Sequence, residues 1–159
     1  MLLLLALLGT GCATWPIRAQ VLDAATRQPI AGAVVLGVWT KVVGIGLSYS
    51  ELVGVAETET DAEGRFELER RGWSGIRRDE AITVYKFDYI AWSNVYLFPT
   101  SKRRENQRVP KEILLERFPP GESHQRHMDF ISDSMKGGLY GRQLIQKFSG
   151  AIERERNLP

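Results

Sequence analysis

The hydrophobic positions of this chain change period twice. Leu2 to Leu8 is an unbroken apolar run of seven residues that ends in Gly9-Thr10-Gly11-Cys12. From Ile17 to about Arg117 the apolar residues come in short segments separated by turn formers, the pattern of sequential β-strands and not of βαβ units. Beyond Pro119-Pro120-Gly121 they recur every three or four residues, which is helical spacing.

Within the middle region, Ile17–Leu22 predicts a first strand, and Ala33–Thr40 a second that is buried on at least one face because it is rich in β-branched and aromatic residues. Lys41–Ser50 carries Gly44, Gly46 and Ser48 and reads as a loop or irregular edge hairpin. Val53–Thr58 returns to strand character. Arg65-Phe66-Glu67-Leu68-Glu69 alternates strictly, so Phe66 and Leu68 point inward while the charged residues face water. Ala81–Phe87, Tyr89–Val95 and Lys111–Arg117 complete about seven strands, and Arg70–Glu80 is a Gly- and Arg-rich connection. In the C-terminal region Ser123 is a good N-cap for a helix with Met128, Ile131 and Met135 on one face, ending at Gly137-Gly138. Tyr140, Leu144, Phe148 and Ile152 step by four in a second helix, opposite Arg142, Gln143, Lys147 and Glu153. That apolar face is expected to pack on the β-domain, with a cell-envelope protein partner or a membrane surface as the alternative cover.

The N-terminal run is far shorter than the roughly 20 residues a helix needs to cross a bilayer. It fits the h-region of a secretory signal, and the small residues before Cys12 resemble a bacterial lipobox, with Thr10, Gly11 and Cys12 matching and Gly9 standing where Leu is usual. This implies cleavage before Cys12 and lipid attachment to its thiol. No Lys or Arg precedes the run, so a start codon upstream of Met1 is expected. Cys12 is the only cysteine, so no intramolecular disulfide is possible. The expected organisation is a signal peptide at 1–11, a linker at 12–16, a β-sandwich at 17–118 and a helical extension at 119–159.

Composition alters this picture little. A formal net charge of +2 argues against a nucleic-acid binder. Residues 101–159 hold 12 Lys and Arg against 8 Asp and Glu, densest at Lys102-Arg103-Arg104, a solvated loop by its lack of interleaved aromatics. Trp39, Trp73, Trp92 and Tyr96 would form a sugar platform only if they shared one face; core packing is the expectation.

Two segments carry a family resemblance. Val21-x-Asp23-x-x-Thr26-x-x-Pro29-Ile30-x-Gly32-Ala33-x-Val35 is followed by Thr60-Asp61-x-x-Gly64-x-Phe66. Together, over about residues 17–95, they resemble the carboxypeptidase regulatory-like domain family. The resemblance implies a mainly β fold, a seven-stranded prealbumin-like (transthyretin-like) sandwich with, here, a C-terminal helical extension. Asp23 and Thr26 would bond the turn backbone, Pro29 stiffen its exit, Gly32 permit a bulge or close approach, and Asp61 with Gly64 shape the second turn before inward-facing Phe66. A type VI secretion lipoprotein shares this lipid-plus-sandwich architecture, so an assembly lipoprotein of a secretion system is an alternative reading.

Catalytic signals are thin. Zinc peptidase chemistry needs two His and a Glu converging on a metal, whereas His124 and His127 are the only histidines and no Glu or Cys completes a set at helical spacing. They are weak metal candidates, with Asp129 or Glu122 as further ligands, in a hydrolase or metal-binding reading. Ser74, Ser93 and Ser149 lack a nearby base, and no phosphate loop follows a strand. The expectation is a protein that is not an enzyme and carries no cofactor: a lipid-anchored module of the bacterial cell envelope, at the periplasmic face of the outer membrane, held to the membrane through Cys12.

Overall fold

The structure, a computed structural model, describes residues 15–44, 46–71, 78–135 and 145–158. Cys12, Trp73, Ser74, Gly137-Gly138, Tyr140, Arg142, Gln143 and Leu144 lie outside them. The described chain is mainly β with two helices. β1 (Ile17–Asp23) pairs antiparallel with β4 (Arg65–Leu68) and parallel with β9 (Glu112–Leu115) in a three-stranded sheet. β2 (Val34–Val43) is central in a four-stranded sheet, between β3 (Tyr49–Glu59) and β5 (Arg78–Tyr85), with β6 (Trp92–Ser93) on the far edge of β5. β7 (Tyr96–Leu97) and β8 (Lys102–Arg103) form a small ribbon. α1 (His124–Ser134) and α2 (Gln146–Arg156) follow.

The difference between β4 and β2 shows how burial writes the pattern. β4 covers one core and alternates, with Phe66 and Leu68 buried and Arg65 and Glu67 exposed. β2 is covered on both faces and is buried almost continuously from Val34 to Thr40. Val35 and Trp39 join Val21, Phe66, Ile82, Val84, Ile113 and Leu115 in a cluster shared by the two larger sheets. Val34, Leu36 and Val38 join Tyr85, Phe130, Ile131, Phe148 and Ile152 in a second cluster beneath the helices. Gly37 stands between them because a Cβ there would collide with the Trp39 ring and approach Leu68 Cδ2 to 2.8 Å. The C-terminal apolar face is therefore covered by the chain's own sheet.

Several expectations are corrected. Among the described residues there are nine strands, not seven, and one pairing is parallel. Of the two readings of Lys41–Ser50 the edge hairpin holds, Lys41 pairing with Glu51 and Val43 with Tyr49. Tyr89–Val95 is a strand only at Trp92 and Ser93. Asp88 at φ 68 turns the chain. Asn94 then replaces a ladder with its own amide: Oδ1 accepts from Ile82 N–H at 2.7 Å, and Nδ2 donates to the carbonyls of Glu80 and Gln107 at 3.0 and 2.9 Å. Ser93 Oγ accepts from Val95 N–H at 3.1 Å. Short polar side chains compete with strand pairing in this way. Trp39 is fully buried, Trp92 packs on the same core and Tyr96 on the second cluster, so these three described aromatic residues share no exposed platform.

Candidate functional site: two motif turns and a buried histidine and glutamate cluster

The two sequence motifs meet in space. Asp23 closes β1, and its Oδ1 accepts from the backbone N–H of Ala25 and of Thr26, both at 3.0 Å. Thr26 Oγ1 accepts from Gln28 N–H at 3.3 Å, and Pro29 forms an isolated bridge with Leu22. Ile30 N–H then donates to the Val21 carbonyl at 3.0 Å, while Val21 N–H donates to the Gly64 carbonyl at 2.7 Å. Gly64 lies at φ +72, and a Cβ there would collide with the Val21 carbonyl oxygen and come within 3.1 Å of Ile30 N. Thus the second turn is pressed against the exit of the first. Asp61 shapes that second turn, Oδ1 accepting from Glu63 N–H at 3.0 Å and Arg65 N–H at 2.7 Å. Gly32, at φ +64, donates its N–H to the Thr60 carbonyl. Buried Thr60 ties the motifs again, its Oγ1 donating to the Ile30 carbonyl at 2.7 Å and accepting from Ala33 N–H at 2.8 Å. Phe66 is buried in the shared core.

The other oxygen of Asp23 reaches residues the motifs do not contain. Oδ2 accepts from the Tyr89 hydroxyl at 2.9 Å and from Arg117 Nε at 3.0 Å, and the Arg117 guanidinium lies 4.3 Å from the Tyr89 ring centroid. The Thr26 amide, against the cost of burial and helped by Tyr89, Ala25 and Arg117, holds the Asp23 carboxyl far below the usual range. Burial and the bond to Asp23 push the Tyr89 phenol up.

Residues 116–118 link this site to a second one. Ile90 N–H donates to the Glu116 carbonyl and Phe118 N–H to that of Asp88, and Phe118 stacks on His124 with centroids 4.5 Å apart. His124 and His127, one turn apart on α1, both place Nδ1 on Glu155 Oε1 of α2, at 2.8 and 2.7 Å. Tyr85 of β5 donates its hydroxyl to Glu155 Oε2 at 2.8 Å. His127 Nε2 accepts from Ala91 N–H at 2.8 Å, so that nitrogen bears no proton, and Nδ1–H is the donor to Glu155. His127 and Glu155 are buried, among the rings of Phe98, Phe118, Phe130 and Tyr85. Burial alone would raise the Glu155 carboxyl; His127, His124 and Tyr85 outweigh it and bring it below its ordinary value. Burial and the bond to Glu155 push the Tyr85 phenol well up.

The cluster is built to hold a carboxylate inside the protein, not to present one. Both nitrogens of His127 are engaged by protein atoms, which leaves no lone pair for a metal. Among the described residues no group of three His, Cys, Asp or Glu side chains is disposed to hold a metal ion. His124, the partly exposed member, lines a cleft of about 260 Å³ with Phe87, Phe118, Pro119 and Leu158. Asp129 and Glu122 do not join the histidines: Asp129 accepts from Gln125 and Glu122 pairs with Arg126. Glu155 and Tyr85 were not among the sequence candidates. Their signal was present in part, since Glu155 continues the buried stripe Phe148, Ile152 at the next helical step and His127 sits one turn before Phe130 and Ile131. A charged residue inside an apolar helix stripe requires a partner.

No family model and no curated protein matches this sequence. A solved structure similar to it is a 9R-lipoxygenase from Cyanothece PCC8801, at 15% identity and a TM-score of 0.33. The match covers 77% of this chain and 24% of that protein. So slight a likeness carries no argument about fold or chemistry. The expectation that the chain is not an enzyme is withdrawn, and no activity takes its place. The exclusion had rested on a histidine pair with no third ligand at helical spacing, whereas a Glu and a Tyr from other elements complete a cluster around them.

Proposed function

We propose that this chain is a lipid-anchored protein of the bacterial cell envelope, whose β-rich domain is a binding or structural module held at the membrane through Cys12. The observation that carries the reading is the placement of Cys12 directly behind an apolar run of seven residues and Gly9-Thr10-Gly11. The domain is read as a prealbumin-like sandwich of the carboxypeptidase regulatory-like kind. Support comes from the convergence of the two motif turns on one another, Val21 bonding Gly64 and Thr60 bonding Ile30. Further support is that the two larger sheets, which together hold seven strands, share one apolar cluster. No helix among the described residues is long and apolar enough to cross a membrane.

Metabolic labelling with radioactive palmitate, combined with fractionation of wild type and Cys12→Ser, tests the proposal. Label and membrane association should both be lost in Cys12→Ser. Equal membrane association without label in wild type would sink it.

A further inference from the structure

Among the described residues β5 pairs with β2 as far as Lys41, opposite Arg78, while β2 and β3 continue as a pair to Val43 and Tyr49. The ion pair Lys41–Glu51, at 3.2 Å, marks the base of this hairpin end, and between those two residues the sequence has no charged side chain. Beyond the base Leu47 is 94% exposed, Tyr49 63% and Val42 41%. Exposed apolar side chains grouped on a hairpin tip mark an interaction surface.

The chain's entry into the domain fixes which way this tip points. Arg70 Nη1 donates to the Trp15 carbonyl at 2.9 Å, and Arg70 Nε donates to Glu80 Oε2 at 2.7 Å. The same Glu80 oxygen accepts from Trp39 Nε1 at 2.9 Å. Trp15, itself 77% exposed, is thereby tied beside Trp39, which is the residue from which β2 sets out toward the tip. Four strand residues from Trp39 to Val43 reach about 13 Å. Cys12 precedes Trp15 by three residues and so lies within about 10 Å of it along the chain. The helices are at the other end of β2: Tyr85, which holds Glu155, pairs with Val34.

We infer that the β2–β3 hairpin tip is a second membrane contact, in which Leu47, Tyr49 and Val42, together with Trp15, dip into the interface of the phospholipid surface that carries the anchor. This rests on lipidation of Cys12. A lipid on Cys12 brings the bilayer to within reach of the tip, and the occupant of an uncharged apolar tip at that distance is the bilayer itself. Trp and Tyr are side chains suited to the headgroup level, with an apolar body and a polar edge. The second contact would fix the domain with its helical end away from the membrane.

The test places an environment-sensitive fluorophore on Leu47→Cys, and separately on Tyr49→Cys, in the full-length protein in phospholipid membranes. Gln125→Cys on α1 is the control. At Leu47 and Tyr49 we expect a blue shift, quenching by doxyl-labelled lipid and loss of iodide quenching relative to Gln125. Label stoichiometry reports on the anchor, because a lipidated Cys12 takes no label and a free one adds a second. One label per chain with Leu47 and Tyr49 as open to iodide as Gln125 would overturn the hairpin contact and leave the anchor standing. Shielding from iodide without quenching by doxyl lipid would overturn it in favour of a protein cover. Two labels per chain with both sites in water would overturn contact and anchor together, whereas two labels with both sites in lipid would overturn the anchor alone.

Discussion

Gly64 is a residue whose identity follows from one backbone approach. The Val21 carbonyl occupies the space of its missing Cβ, and φ is positive. Gly64→Ala should destabilise the domain by about 2 kcal/mol or more, read as a lower urea midpoint, because strain and collision add. Motif residues of this kind are legible in a single sequence, since Gly, Asp and Pro act on their own neighbours. The partners of Asp23 were not legible, because Tyr89 and Arg117 lie 66 and 94 residues away. Asp23 also predicts a pH dependence. Its folded carboxyl is depressed, so its stabilisation is complete above the ordinary Asp value near about 3.9 and is lost as pH falls toward the folded value. Glu155 has the same sign. Wild-type stability should therefore fall as pH drops below about 4 toward the folded values, and Asp23→Asn should show a shallower slope from a lower starting point, measured by urea titration at each pH. Glu155→Ala would leave three donors, from His124, His127 and Tyr85, without their acceptor; a loss of about 3 kcal/mol is expected by the same method.

At the scale of elements, legibility follows how many faces a segment covers. The strict alternation of Arg65–Leu68 announced a strand with one covered face. The apolar run of β2 announced burial but not its two causes, the second sheet on one side and α1 with α2 on the other. Tyr89–Val95 misled for a different reason: its aromatic and β-branched residues have strand character, yet Asn94 and Ser93 satisfy the neighbouring backbone with side-chain atoms. The helices were placed by spacing, and Ser123 caps α1 by accepting from Arg126 N–H at 3.2 Å. What α2 covers was left open by its amphipathic pattern. Phe148 is fully buried against Tyr85, and its N–H donates to Glu57 at 3.0 Å, so α2 belongs to this domain's core. Phe148→Ala should cost about 3 to 5 kcal/mol, and near-ultraviolet circular dichroism should report loosening around Tyr85.

For the whole molecule, the described residues form layers: a three-stranded sheet, a four-stranded sheet and two helices, with one apolar cluster at each contact. Helix packing turns α1 and α2 from an extension into the third layer, a consequence of leaving the β2 face too apolar to stand in water. His124 and His127 belong to this contact, where Glu155 and Tyr85 lock the helices to β5. The proposed role in the envelope comes from outside the layers, at Cys12. Intact-mass analysis of the protein purified from its native membranes tests it most directly. The account predicts a chain that begins at Cys12 and carries the added mass of diacylglycerol and a fatty acyl group. An unmodified chain that retains residues 1–11 would contradict it.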